Sequence, residues 1–424
     1  MTAHALATLI EISTTVLAVA GMGYYLAAMV AARIFLAARR APLAAFAPGV
    51  SVLKSLKGLD PGMIDAFRSH CIQSYAGESE LLFGVSSLSD PATAAVEQLI
   101  AEFPERAIRL IECPERLGTN GKVSTLVQLA ACARFDFLLI NDSDITVSPR
   151  YLERVMGCFG SEEISSVAKA PKDSVGFARG INPPPPSVAN SSAQKVGLVT
   201  TLYRGRAHGT LPSRLEALGI ATDFQAGVLL SMWMEGGLHY GLGSTLAVSR
   251  EAFDRIGGLQ VLVDHLADDY ELGARVDKAG YRLALSAEVV ETNIAAYGWR
   301  GFLDHQLRWA RTVREARPWG YAGLVFTAGL GWAMLNVLAS GVSPLSLWLL
   351  GLSFFLRLAL AMTVGAEVLG DRQVLPSLWL LPLRDLVAVG VWVAGFAGNT
   401  IVWRGERFTL KDGKLYKVDT QRAS

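Results

Sequence analysis

Residues 135–144 read Phe135-Asp136-Phe137-Leu138-Leu139-Ile140-Asn141-Asp142-Ser143-Asp144. The apolar run is short and is bounded by polar residues, which predicts a buried strand of a parallel sheet. Asp142 and Asp144 follow it two residues apart, so in an extended chain their side chains point the same way. Ligands of open α/β sheets bind beyond the carboxyl ends of the strands. Two carboxylates there suit Mg²⁺ or Mn²⁺ on a diphosphate, although acidic residues after a strand also occur in plain turns.

The sequence around this stretch alternates between short apolar runs and helical segments. Strands are predicted at residues 50–54, 80–85 and 107–112, and helices at 63–73, 93–103 and 123–132. This alternation indicates an α/β fold with a mainly parallel sheet and helical crossovers. The sequence contains neither a G-x-G-x-x-G motif nor a Walker loop. A diphosphate would therefore have to be held by a metal rather than by a glycine-rich loop.

The composition is too apolar for an ordinary soluble protein. Hydrophobic residues make up 51% of the 424 residues and charged residues 18%, and the mean hydropathy is +0.33. Membrane segments are therefore expected. The net charge of +1 gives no basis for binding nucleic acid. The four cysteines form no CxxC pair and accompany no histidine cluster, so they predict neither a zinc site nor a disulfide framework.

The distribution of charge predicts four regions. Residues 1–40 hold an uncharged stretch long enough for one crossing, followed by arginines, which predicts an N-terminal anchor with its N-terminus outside. Residues 41–317 have mixed charges and form the predicted cytoplasmic domain. Residues 318–403 predict transmembrane or interfacial helices, and residues 404–424 a basic tail. Three full crossings would place this tail outside, against the positive-inside rule. The crossing number therefore stays open, with a candidate surface helix that ends near Arg384 and Asp385.

Two more charged clusters follow. Asp268 and Asp269 lie at a predicted helix start, where they either complement the helix dipole or supply a general base for an acceptor hydroxyl. His305, Arg308 and Trp309 share one face of a later helix, where the arginine suits a phosphate and the tryptophan can close a pocket. The same helix also has the pattern of a juxtamembrane segment. Lipid headgroups are the expected partners of its last three arginines, Arg311, Arg314 and Arg317.

The order of these motifs resembles that of a known family. The chain carries in sequence Asp90-Pro91-Ala92, Asp142-Ser143-Asp144, Ala267-Asp268-Asp269-Tyr270, Arg308-Trp309 and Trp403-Arg404-Gly405. This set resembles the ceramide glucosyltransferase family, membrane-bound inverting glycosyltransferases of the GT-A type with a D, D, D, (Q/R)xxRW signature. Hopanoid-associated glycosyltransferases are close relatives. The resemblance implies a GT-A nucleotide-sugar-binding domain, with a mainly parallel sheet, between N-terminal and C-terminal transmembrane helices. It also implies a multi-pass protein of a bacterial inner membrane whose catalytic domain is cytoplasmic.

The resemblance assigns roles to individual residues. Asp90 is expected near the uridine, Asp269 is expected to be the catalytic base, and Arg308 and Trp309 are expected to complete the last catalytic motif. The metal on the diphosphate is assigned to Asp142 and Asp144. Further contacts with the nucleotide sugar are expected from Lys54, Lys122, Asp142, Asp268 and His305. Two positions depart from the family pattern: His305 stands where Gln or Arg is usual, and Ser87 where an acidic residue often precedes the first aspartate.

The implied reaction is a single displacement at the anomeric carbon of a UDP-sugar. Asp269 would take a proton from a lipid hydroxyl, and a divalent metal, Mg²⁺ or Mn²⁺, would stabilise the departing UDP. Glucose and ceramide are the expected sugar and lipid, and N-acetylglucosamine and a hopanoid polyol are the alternative, which the motifs do not separate. A processive polysaccharide synthase conflicts with the few predicted C-terminal crossings. A non-catalytic lipid-binding protein conflicts with the presence of all three aspartate positions and Arg308-Trp309.

Overall fold

The computed structural model describes residues 3–40, 42–160, 194–403 and 406–418. Its strands are β1 (Val50–Ser55), β2 (Ser79–Val85), β3 (Ala107–Glu112), β4 (Phe137–Ile140), β5 (Ile145–Thr146), β6 (Val196–Arg206), β7 (Leu246–Ser249), β8 (Arg282–Asn293), β9 (Thr400–Trp403), β10 (Glu406–Lys411) and β11 (Lys414–Lys417). Its helices are α1 (Ala3–Ala38), α2 (Met63–Cys71), α3 (Ala92–Glu102), α4 (Gly121–Cys132), α5 (Tyr151–Gly157), α6 (Leu211–Gly219), α7 (Gln225–Glu235), α8 (Arg250–Arg255), α9 (Asp268–Lys278), α10 (Trp299–Ala316), α11 (Pro318–Gly323), α12 (Gly329–Ala339), α13 (Pro344–Ala361) and α14 (Leu381–Gly395).

Strands β1 to β8 form one mixed sheet with the order β3-β2-β1-β4-β7-β6-β8-β5. Strands β3, β2, β1 and β4 are parallel to one another, and so are β6 and β8. The two parallel groups are joined by β7, which is antiparallel to both β4 and β6. The prediction of an α/β fold with a mainly parallel sheet is confirmed, and the three strands predicted before residue 135 lie within one or two residues of their predicted ends.

The buried strand that the sequence predicts is β4. Leu138, Leu139 and Ile140 are at most 1% exposed, because β1 pairs on one side of them and β7 on the other. Helices cover both faces of the sheet: α2, α3 and α5 pack on one, and α4, α8 and α9 on the other. The Asp142–Asp144 turn therefore emerges at the carboxyl edge of β1 and β4, where α4 also begins.

Apolar helices lie at both ends of the chain, as predicted. Within the part of the chain that the structure describes, four segments are long and apolar enough to cross a membrane: Ala5–Ala38, Leu211–Glu235, Pro344–Val368 and Leu375–Gly395. A fifth candidate joins Pro318–Thr327 to Gly329–Ala339 through a bend of 58°. The segment Leu211–Glu235 was not predicted, and it is largely buried against the sheet and the second half of α1. The central domain thus contains an apolar helical segment of membrane-crossing length of its own.

A cluster of buried charges joins these helices. Arg357 of α13 is 1% exposed and forms ion pairs with Asp385 at 3.0 Å and with Asp223. Arg384 contacts the second oxygen of Asp223 at 3.2 Å. The side chains of Arg384 and Asp385 are both buried in this cluster, and their expected position near lipid headgroups stays a prediction. Asp223 lies in a single π-helical stretch, Ile220–Phe224, between α6 and α7.

The segment predicted as a basic tail contributes β10 and β11 to a small antiparallel sheet with the order β11-β10-β9, and β9 comes just before that segment. Arg404 and Gly405 of the terminal motif, and residues 419–424, lie outside the described residues. Arg311 and Arg314 do not have the expected lipid partners. Arg311 donates to the carbonyls of Ala397 at 2.7 Å and of Thr400, and Arg314 donates to the carbonyl of Gly395 at 2.6 Å. Arg317 donates to Glu235 at 2.7 Å instead. A helix end leaves carbonyls without partners, and arginine side chains satisfy them here.

Candidate active site

The acidic turn after β4 holds its two carboxylates in different environments. The side chain of Asp142 is 45% exposed, and its Oδ1 lies 2.8 Å from Nζ of Lys122. Oδ2 of Asp144 accepts hydrogen bonds from the hydroxyl of Thr292 and, at 3.2 Å, from the backbone N–H of Asn293. Asp142 is therefore open to solvent, whereas Asp144 is fixed to the end of β8.

The pair has the chemistry of a divalent cation site. Burial and the neighbouring charge of Asp142 raise the pKa of the Asp144 carboxyl, as expected for two close carboxylates without a cation between them. Among the described residues, no group of three or more His, Cys, Asp or Glu side chains is arranged to hold a metal. Mg²⁺ commonly uses one or two carboxylates and takes its other ligands from phosphates and water. The pair thus fits a cation that arrives with a diphosphate.

Lys54 is buried beneath this turn and contacts its backbone. It is the fifth residue of β1, it is 0% exposed, and its Nζ donates to the backbone carbonyl of Asp142 at 2.9 Å. Burial lowers the pKa of Lys54 to about 7, although Asp144 and Asp142 act in the opposite direction. The structure therefore gives Lys54 a direct contact with the turn, and the expected phosphate contact stays a prediction.

Lys122 connects the first acidic motif to the second. It lies in the first turn of α4, which begins there because the side chain of Asn120 accepts from the N–H of Val123. Its Nζ lies 2.8 Å from Asp142 and 3.2 Å from Asp268. Burial acts to lower the pKa of Lys122, but the two carboxylates outweigh it and raise the pKa above its ordinary value. A permanent cation thus stands between the two acidic motifs.

Asp269 is held close to the Gly241–Gly243 segment. A side chain at Gly243 would come within 2.9 Å of Oδ2 of Asp269, and one at Gly273 would come within 2.1 Å of the backbone of Gly241. The absence of side chains at these glycines lets α9 approach the loop. Burial, together with the charge of Asp268, raises the pKa of Asp269 to about 6. A carboxylate with such a pKa suits general-base chemistry near neutral pH.

The motif on α10 is organised by a residue that the sequence did not single out. Glu216 of α6 is 2% exposed and accepts from the hydroxyl of Tyr297 and from the amide of Gln306 at 3.4 Å. Its other oxygen lies 3.0 Å from Nδ1 of His305. His305, which stands where the family has Gln or Arg, therefore has a buried carboxylate as its partner. Nothing in the local sequence around Glu216 distinguishes it from a surface residue of a helix.

A run of rings leads from α10 to the acidic edge. The ring centroid of Trp309 lies 5.1 Å from that of His305 and 6.0 Å from that of Phe224, and Phe224 lies 5.7 Å from Tyr203. Burial, then the charges of Asp269, Glu216, Asp142 and Asp144, raise the pKa of the Tyr203 hydroxyl. Tyr203 thus lies among all the acidic groups, yet its only signal in the sequence is a place in a long apolar strand.

Asp90 occupies a supporting position. Its Oδ1 accepts hydrogen bonds from the N–H groups of Gly58 and Ala92, both at 2.9 Å, so it fixes the loop after β1 and caps the start of α3. The same loop contacts the acidic turn, because the hydroxyl of Ser143 donates to Asp60 at 2.8 Å. The expected contact of Asp90 with uridine stays a prediction.

Apart from Asp90, the predicted residues thus fall into two groups. Lys54, Lys122, Asp142, Asp144, Asp268 and Asp269 meet at one edge of the sheet. His305 and Trp309 adjoin this edge through Phe224 and Tyr203, and Arg308 precedes Trp309 on α10. Thr292 and Asn293, which hold Asp144, were missed. They end β8 after Val289, Val290 and Glu291, a mixed sequence that does not mark them as site residues.

Comparison with known proteins identifies the family of the chain. The model of glycosyl transferase family 21 matches residues 13–177 and 187–416. Ceramide glucosyltransferase 3 of Caenorhabditis elegans is 25% identical over 380 residues, which cover 86% of this chain and 73% of the relative. Ceramide glucosyltransferase 1 of the same species is 24% identical over 383 residues, with coverage of 86% and 72%.

Solved structures include one that aligns along most of the chain. The mannosyltransferase PcManGT from Pyrobaculum calidifontis, in complex with GDP-Man and Mn²⁺, is 17% identical, with a TM-score of 0.49 over 91% of this chain and 97% of the other. The family model spans the central sheet, the acidic edge and the helices at both ends. The expectations of an α/β fold with a mainly parallel sheet and of apolar helices at both ends are confirmed. The chain therefore belongs to glycosyl transferase family 21, which confirms the family resemblance drawn from its motifs.

Proposed function

We propose that this glycosyltransferase transfers a sugar from a UDP-sugar to the hydroxyl group of a membrane lipid, with inversion, and that glucose and ceramide are the sugar and the lipid. The observation that carries the proposal is the bridge of Lys122 between Asp142 and Asp268, beside Asp269 with its raised pKa. This bridge joins a cation site for a diphosphate to a carboxylate able to take a proton. The matched relatives from Caenorhabditis elegans, which are named ceramide glucosyltransferases, support the choice of sugar and lipid.

The donor side of the reaction uses the acidic turn. Asp142 and Asp144 would hold a divalent metal, which supplies Lewis-acid stabilisation of the departing diphosphate when it is bound. Lys122 carries a positive charge beside the same turn and would pair with phosphate oxygens once a cation neutralises Asp142. Asp90 fixes the loop that contacts the turn and would line the uridine side.

The acceptor side uses Asp269. A hydroxyl is a weak nucleophile near neutral pH, so a base must take its proton as it attacks. Asp269 takes this proton, the acceptor oxygen forms the new bond to the anomeric carbon, and the bond to UDP breaks with its electrons on the phosphate. One displacement inverts the configuration, so an α-linked donor gives a β-linked product. The rings of Tyr203, Phe224 and Trp309 offer an apolar wall for the lipid.

The contacts of α14 support a membrane arrangement with the tail on the catalytic side. Arg384, near its start, pairs with Asp223, and Gly395, at its end, accepts from Arg314 of α10. The segment Leu375–Gly395 is long enough to cross a membrane, but α14 contacts the catalytic domain near both of its ends. We infer that α14 lies along the domain, in the membrane interface. Two crossings then remain between the catalytic domain and the tail. The domain and the tail therefore lie on the same, cytoplasmic side, in agreement with the positive-inside rule. In a bacterial cell, a membrane protein whose catalytic domain is cytoplasmic would lie in the inner membrane.

Release of UDP by purified protein tests the proposal. With UDP-glucose, Mg²⁺ or Mn²⁺ and ceramide in detergent, we expect UDP release that chelation abolishes and metal restores. Asp269→Asn should lower kcat by about 10²–10⁴-fold, the usual contribution of a general base. Asp254→Asn, an exposed carboxylate on α8, is the matched control. If no lipid stimulates UDP release, or if Asp269→Asn is fully active, the proposal is wrong.

The product identifies the sugar and the lipid. Lipids extracted from cells with and without the protein are compared by mass spectrometry, and the anomeric configuration of the product is read by NMR. A β-linked hexosyl-ceramide that depends on the protein is the expected result. Detection of an N-acetylhexosaminyl hopanoid instead would overturn the proposed sugar and the proposed lipid, but not the proposed role of Asp269.

A further inference from the structure

We propose that the C-terminal sheet, β9 to β11, is a positioning element for the catalytic base, because it holds the loop that leads into α9, the helix that carries Asp269. The inference rests on the proposed role of Asp269 as that base. The sheet lies more than a hundred residues further along the chain, and none of the acidic motifs contains a residue of it.

The first support is a pair of backbone hydrogen bonds on either side of His265. The N–H of Leu266 donates to the carbonyl of Gly413 at 3.1 Å, and the N–H of Leu415 donates to the carbonyl of Asp264 at 2.8 Å. His265 and Lys414 face each other between these bonds as an antiparallel bridge. The loop is thus paired to β11 as a short additional strand, and this pairing ends two residues before Asp268.

The second support is an apolar core that only this contact completes. Leu266 is 7% exposed and packs into a cluster contributed by the small sheet: Ile401, Phe408, Leu410 and Leu415, each at most 2% exposed. Among the described residues of this cluster, Leu266 is the one that comes from the loop before α9. Removing a buried leucine from such a cluster leaves a cavity and weakens the packing around it. The pairing is therefore a packed interface and not a chance approach of two loops.

The third support is the partner on the opposite side of the loop. Oδ1 of Asp264 accepts from the N–H of Thr119 at 2.9 Å and from its hydroxyl at 3.0 Å. The amide of Asn120 donates to the carbonyl of His265 at 2.8 Å. These two residues lead into α4, which carries Lys122. The loop is thus held on one side by the residues that lead into α4 and on the other side by the C-terminal sheet. If the sheet is lost, the loop keeps its contacts with the donor side of the site.

The sheet is itself anchored to α10, which carries Arg308 and Trp309. Arg311 donates to Ala397 at 2.7 Å, and Arg314 donates to the side chain of Asn399 at 2.5 Å, just before β9. A cavity of about 70 Å³ lies between α9, α10 and the turn from β10 to β11. The sheet therefore spans the two helices that carry the base and the last motif, and it fixes their separation.

Substitution of Leu415 tests this role. Leu415→Ser should lower kcat by about tenfold to a hundredfold, the usual effect of displacing a catalytic group by about 1 Å, while the KM for the UDP-sugar changes less than about twofold. Tyr416→Ser is the matched control, since Tyr416 is 50% exposed on the neighbouring position of β11. If the two variants have equal kcat, or if the donor KM rises in step with the loss of kcat, the inference is wrong. If Leu415→Ser does not fold, Leu415→Ala takes its place in the same measurement.

A covalent rescue separates positioning from general instability. His265→Cys and Lys414→Cys place thiols at facing positions of an antiparallel bridge, a geometry that suits a disulfide. In the Leu415→Ser background, oxidation of this pair should restore at least half of the lost kcat, and reduction should remove it again. No gain on oxidation, with the crosslink verified by mass spectrometry, would overturn the inference. An active Asp269→Asn variant would instead overturn the proposed base itself.

Discussion

The raised pKa of Asp269 predicts an acid limb near pH 6 in the profile of kcat/KM. The base acts in its deprotonated form, so activity is present above the pKa and is lost as the pH falls through about 6. At pH 5 about one tenth of Asp269 is deprotonated, whereas a carboxyl at the ordinary value of 3.8 would be more than about nine tenths deprotonated. The two cases therefore differ by about tenfold in rate at pH 5.

Two substitutions should move this limb in opposite directions. Asp268 raises the pKa of Asp269 and Lys122 lowers it, so Asp268→Asn should shift the midpoint to lower pH and Lys122→Met to higher pH. The assay is the initial rate of UDP release at limiting donor between pH 4.5 and 8. Only the midpoint is compared, since both side chains also contribute to the plateau through donor binding. Asp254→Asn should leave the midpoint unchanged. Shifts of the same sign in the two variants, or a wild-type midpoint near 4, would refute the assignment.

Two predictions concern packing. Gly21→Ala should lower stability by about 1–3 kcal/mol, because the new Cβ would meet the backbone of Gly329 at 2.2 Å, whereas Gly23→Ala on the same helix meets nothing within 4 Å. Thermal unfolding in detergent compares them, and equal midpoints would contradict the close crossing of α1 and α12. Glu216→Ala should cost about 1–3 kcal/mol and lower kcat, because it leaves Tyr297 and His305 without their acceptor. Glu251→Ala, on the surface, is its control; retention of full kcat by Glu216→Ala would exclude a role in holding α10.

The parts of the site that the sequence revealed are those with a local pattern. Asp142 and Asp144 follow an apolar run that can only be a buried strand, and Asp268 and Asp269 begin a helix. Their positions at one sheet edge follow from the parallel order of the strands. The contacts that tune them are non-local: Thr292 lies 148 residues from Asp144, and Glu216 lies 89 residues from His305. One sequence without an alignment holds no signal for such pairs.

The side-chain partners of two groups of residues could not be read from the sequence. Lys54 was expected to contact the nucleotide sugar, which stays a prediction, and the structure adds that its side chain is buried and reaches the carbonyl of Asp142. Arg311 and Arg314 were expected at lipid headgroups because apolar helices follow them. They bind carbonyls of residues 395–400 instead, since the chain returns from α14 to the domain. Such a return depends on tertiary packing and leaves no mark in the charge pattern.

The pairing of Leu266 with Gly413 also sets the order in which a working enzyme can arise during translation. The central sheet can form as soon as β8 leaves the ribosome. Gly413, which pairs with the loop before α9, is translated about 150 residues after that loop. At ribosomal speed this delay is roughly 10–30 s. Until then the nascent protein has its acidic edge but not the pairing that steadies Asp269. Turnover should therefore begin only after the apolar helices have entered the bilayer, where the lipid acceptor lies.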